Sequence, residues 1–106
     1  MNLQKMMKQA QEMQSKFAQV QERVGVEVME GTAANGLVKA VVNGKGELKK
    51  LSLDKSVVDP EDIDTLEDLI IVAFTDAKNK IDAFAEGEMK KATSGLGLPA
   101  GLKLPF

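Results

Sequence analysis

The chain opens on apolar residues spaced alternately by three and four: Leu3, Met6, Ala10, Met13, Phe17, Val20 and Val24. This is a heptad seam, with Leu3, Ala10, Phe17 and Val24 at one core position and Met6, Met13 and Val20 at the other. A helix over 3–24 would be about 33 Å long at the α-helical rise. A chain of 106 residues cannot wrap a rod of that length, so the seam predicts a long partner helix elsewhere in the sequence.

The partner is found near the end. Asp59-Pro60 is a helix-start signal, a capping carboxylate followed by proline at the first helical position, and Asp64 with Glu67 forms a second, capping-box start. These predict a short helical turn over 60–63 and a long helix over 65–92. Leu69-Ile70-Ile71-Val72-Ala73-Phe74 is apolar around the whole circumference of such a helix, which buries it on every side. One side can cover a sheet. So short a chain has little left for the other side, and a second copy of the chain is the simplest supplier. From Ala77 the pattern thins to one stripe, Ala77, Ile81 and Phe84, suited to the N-terminal seam. The two helices would then leave the core as an arm, and the Met and Phe along it are core.

Between the helices the apolar period falls to two. Gly25 predicts the end of the first helix near Val24. Val26 and Val28 then alternate with polar and small residues over 25–30; Val38, Ala40 and Val42 do so over 37–42; Leu51 and Leu53 face inward on a third strand over 47–53. Gly31 to Gly36 has turn composition. Asn43-Gly44-Lys45-Gly46 predicts a tight type I′ hairpin turn. The fold class is α+β: a three-stranded antiparallel meander with a long helix at each end, forming a single domain over 1–92. Residues 93–106 hold too much Gly and Pro for a helix and read as a flexible tail or as a segment that orders on docking.

Charge is uneven beneath a net value of −2. Residues 1–23 carry +2, residues 24–53 carry +1 and residues 54–92 carry −6. Asp59, Glu61, Asp62, Asp64, Glu67 and Asp68 crowd one decade, where helix N-termini favour carboxylates; no spacing there marks a metal site. The absence of Cys and His removes disulfides, thiolate metal sites and the commonest general base, and Ser15, Ser52, Ser56 and Ser94 have nothing to activate them. No glycine-rich phosphate loop precedes a helix. The reading is of a soluble cytoplasmic protein, not an enzyme, with no cofactor, no metal and no membrane partner.

One binding feature stands out. At 100° per residue Lys5, Lys8, Lys16 and Arg23 share a stripe on the first helix, about 120° round from the seam, with Gln9 and Gln19 in or beside it and only Glu12 interrupting it. Lys, Arg and Gln along an exposed rod suit contact with a phosphate backbone.

Four blocks in order, Leu3 to Gln14, Gly36 to Gly44, Leu66 to Ile70 with Ala73 to Ala77, and Gly97 to Phe106, resemble the YbaB/EbfC family of bacterial nucleoid-associated proteins. The resemblance implies a homodimer with a sheet core and helical arms, binding double-stranded DNA, altering its conformation and affecting gene expression, at the nucleoid. It implies DNA contacts on the arm helices at Lys5, Lys8, Lys16 and Arg23, joined by Lys78, Lys80, Lys90 and Lys91. The dimer interface is expected at Leu69, Ile70, Ile71, Val72 and Phe74. The alternative is a protein–protein module whose arms grip unfolded chains or dock a recombination or replication protein, with Met6, Met7 and Met13 as its adaptable grip.

Overall fold

A computed structural model describes residues 2–94. The first helix, α1 (Leu3–Val26), leads into strands β1 (Val28–Ala33), β2 (Val38–Asn43) and β3 (Leu48–Leu53), and the last helix is α2 (Ile63–Ser94). The strands form one antiparallel sheet in the order β1-β2-β3, as the alternating pattern required. The expected tail, 93–106, lies outside the described residues except for Thr93 and Ser94, which are helical and belong to α2.

Four local expectations are corrected. The first concerns Gly25, which does not end α1. The helix runs on through Val26, with Glu27 N–H closing onto the Val24 carbonyl, and β1 begins three residues later than expected, so Gly31 to Ala33 belong to the strand. The cause is tertiary. The end of α1 lies against the hairpin between β2 and β3, where Gly44 N–H donates to the Glu27 carbonyl at 3.2 Å. A Cβ on Gly44 would overlap the Val24 carbonyl, so Gly44 allows close approach of the two backbones.

The second correction is the turn itself. Gly46 N–H donates to the Asn43 carbonyl, Asn43 N–H donates to Glu47, and Gly46 alone in this loop has positive φ, at 82°. That is a type I turn closed by a glycine bulge, not a type I′ turn. Asn43 holds it together: its Oδ1 accepts from Lys45 and Glu47 N–H at 3.0 Å each, and its Nδ2 donates to Glu47 Oε1 at 2.8 Å.

Third, Asp62 rather than Asp64 caps α2, taking the Thr65 hydroxyl at 2.7 Å, and Asp59-Pro60 makes an isolated turn in which Asp59 accepts from Glu61 N–H. The carboxylates at Asp59 and Asp62 thus serve as caps and turns.

The fourth correction is the reach of the core. Val38, Ala40 and Val42 are fully buried, and α2 crosses β1 and β2 with Ala73, Ala77 and Ile81 inward. Gly31 makes this crossing close, because a Cβ there would overlap Ala73 and Ala77 backbone. Leu51 pairs with Ala40 and Leu53 with Val38, so both leucines do sit on the inner face, yet each stays 39% exposed. A helix about 10 Å across spans roughly two strands at about 4.8 Å spacing. The third strand is left bare.

Candidate nucleic-acid interface

Beyond the sheet, α1 and the distal half of α2 run side by side and antiparallel. Val20 and Val24 are buried, Met13 and Phe17 half-buried, and Arg23 Nη1 lies 3.0 Å from Glu88 Oε2. This is the arm that the seam predicted. Its shape is long: the radius of gyration is 19.4 Å, against about 13 Å for a compact chain of this size. The seam is only half used, however. Leu3, Met6 and Ala10 are exposed, beyond the stretch that the described part of α2 covers.

Lys5, Lys8, Gln9, Lys16, Gln19 and Arg23 are all exposed on α1, along roughly 27 Å of helix from Lys5 to Arg23. Lys5, Lys8 and Lys16 form no ion pair among the described residues; even Glu12, four residues from both Lys8 and Lys16, pairs with neither. Lys90 and Lys91 are exposed on the distal half of α2, in the same arm. Lys91 shares Glu88 with Arg23, its Nζ 3.6 Å from Oε1.

Lys78 and Lys80 are placed differently. Both belong to the part of α2 beside the sheet: Lys78 pairs with Asp82 at 2.7 Å, while Lys80 pairs with Asp76 at 3.2 Å and donates to the Glu30 carbonyl at 2.9 Å. Asp76 in turn accepts from Thr32 N–H at 3.0 Å. That hydrogen bond, aided by Lys80, holds the Asp76 carboxyl below the ordinary carboxylate value. Together Asp76 and Lys80 satisfy backbone groups on the outer edge of β1, a structural task.

Nothing local in the sequence marks Glu88, because its partner Arg23 lies on another helix. On the outer face of the sheet a shallow groove lined by Glu30, Lys39, Val41, Lys50 and Ser52 is mixed in sign and adds no basic site. Among the described residues, no cluster of three or more carboxylates could hold a metal ion, and no helix is long and apolar enough to cross a membrane.

The arm, its basic stripe and the small sheet define a class: small α+β proteins with a charged two-helix projection. The sequence profile of the YbaB/EbfC DNA-binding family matches residues 1–96. The chain belongs to that family, a family of DNA-binding proteins rather than enzymes. It is 53% identical over 105 residues to a nucleoid-associated protein of Rhodospirillum centenum, covering 99% of this chain and 98% of that one. It is 48% identical, with the same coverage, to a nucleoid-associated protein of Granulibacter bethesdensis. The fold matches the crystal structure of an uncharacterized Helicobacter pylori protein with a TM-score of 0.70 at 24% identity, over 92% of this chain and 99% of that one.

Proposed function

We propose that this protein binds double-stranded DNA as a homodimer through the basic stripe of α1, acting at the nucleoid and altering DNA conformation. The observation that carries the reading is the run Lys5, Lys8, Lys16 and Arg23 on one exposed face, in a member of a DNA-binding family. The stripe holds no aromatic side chain for base stacking and no helix-turn-helix spacing, so contact is with the backbone and selectivity comes from DNA shape.

The dimer is supported by unpartnered apolar surface. Leu69, Ile70 and Phe74 pack on the chain's own core, whereas Ile71 and Val72 on the other side of α2 are 61% and 53% exposed. Asp76 and Lys80 lie toward the β1 edge, so the opposite flank of α2, carrying Ile71, overhangs the bare leucines of β3. Ile71 with Leu51 and Leu53 is exposed apolar surface that a two-fold partner would cover with the same residues.

The test is a gel-shift series on duplex DNA at varied salt. With about four to six phosphates neutralised per dimer, log K falls against log salt with a slope of about −4 to −5. Replacing Lys5, Lys8, Lys16 and Arg23 together by Gln flattens that slope by several units and weakens all sequences alike. Unchanged binding by the quadruple variant would move the DNA site off the arm.

A further inference from the structure

The apolar stripe of α1 continues past the stretch that the described part of α2 covers. Along α1 the cover fades from Val20 and Val24, buried, through Phe17 and Met13, half-buried, to Ala10, Met6 and Leu3, exposed. The uncovered stretch from Ala10 to Leu3 is about 10 Å, two turns of helix. On it Leu3 is 74% exposed, Met6 48% and Met7 64%. Leu3, Met6 and Ala10 lie on the same face as Met13, Phe17, Val20 and Val24, so this is the uncovered end of an interface that α2 has already begun.

The chain supplies an occupant at that place. The helices run antiparallel, so the described part of α2 runs toward the uncovered stretch and residues 95–106 follow it in sequence. Twelve residues reach at most about 40 Å when extended, several times the span to Leu3. The segment carries Leu96, Leu98, Leu102, Leu104 and Phe106, with Lys103 its one charge. Pro99 and Pro105 reduce the entropy lost on docking in an extended form. Leu102, Leu104 and Phe106 alternate, so an extended strand presents all three to one surface. A second copy of the arm is a poorer fit, since two turns of helix give it little to bury.

We propose that residues 96–106 dock back along α1 of the same chain and cover Leu3, Met6, Met7 and Ala10. Met7 stands on the flank of the seam away from the lysines, so the docked segment leaves the stripe of Lys5 and Lys8 open. The tail acts as the missing length of the partner helix and stiffens the arm tip beside the DNA-contacting face.

The chain has no cysteine, so a nitroxide can be placed at one site in the full-length protein. With Lys103→Cys carrying the nitroxide and methionine methyls labelled with carbon-13, the Met6 and Met7 signals should lose more than half their intensity. Met29, half-buried at the core, reports that the fold is intact. Adding Leu102→Ser, Leu104→Ser and Phe106→Ser should restore the Met6 and Met7 signals. A mixture in which nitroxide and isotope are on different chains should show no broadening. Sharp Met6 and Met7 signals in the first sample, broadening that survives the three serines, or broadening in the mixture would each overturn same-chain docking.

Discussion

Arg23 of α1 and Glu88 of α2 meet at 3.0 Å, and the glutamate is the more enclosed partner, its side chain 12% exposed against 57% for the arginine. Lys91 approaches the other oxygen of the same carboxylate. One acid thus faces two of the bases assigned to DNA contact. The pair joins the helices of the arm and at the same time lowers the positive field the arm presents. In the proposed DNA contact, phosphates would compete with Glu88 for Arg23, and part of the Coulomb attraction would go into separating that pair.

The first prediction follows from this pairing. Glu88→Gln keeps a hydrogen-bond acceptor for Arg23 but removes the charge, so DNA affinity should rise and the log K against log salt slope should steepen by about 1. The thermal midpoint should change little, because a half-exposed ion pair contributes about 1 kcal/mol or less. Salt-dependent fluorescence anisotropy on a short duplex measures the affinity and the slope, and calorimetry the midpoint.

Ile71→Asp separates the oligomeric states. In a lone chain Ile71 is largely exposed, and the substitution would be nearly neutral. At a dimer interface it buries an unpaired carboxylate, and we expect a loss of several kcal/mol in folding coupled to association. Sedimentation of the variant alongside Leu51→Asp should show both shifted from dimer toward monomer, at a concentration where the parent is dimeric. A parent that sediments as a folded monomer would remove the basis for the dimer.

Two glycines should respond with opposite signs. Gly31→Ala forces a Cβ into the Ala73 and Ala77 backbone and should cost about 3 kcal/mol as overpacking. Gly87→Ala, inside α2 with open space around the new methyl, should stabilise by about 0.5–1 kcal/mol through helix propensity and a stiffer unfolded chain. Urea midpoints of the two variants provide the comparison.

Asp76 sets an acid limb. Its folded-state pKa lies below the ordinary value because the carboxylate accepts from Thr32 N–H and faces Lys80. The stabilisation is therefore complete above the unfolded value of about 3.9 and is lost as pH falls through it toward the lower folded value. Asp76→Asn should lower the thermal midpoint at neutral pH. Its difference from the parent should shrink below roughly pH 4, which a calorimetric pH series would reveal.

The two helices, the three strands, the arm and the lysine stripe were legible because each rests on local periodicity: 3.6 for α1 and α2, two for Val38, Ala40 and Val42. Several boundaries and turns were not. Gly25 reads as a helix end, yet packing of α1 on Gly44 keeps it helical, and Asn43 shapes the hairpin by hydrogen bonds to Lys45 and Glu47. Position along the chain could not reveal that α2 covers two strands and leaves Leu51 and Leu53 bare, that the described part of α2 leaves the seam from Leu3 to Ala10 uncovered, or that Glu88 meets Arg23. A period records which way a side chain points from its own element. What it meets there depends on how far a neighbouring element extends, and that is decided by packing between residues distant in sequence.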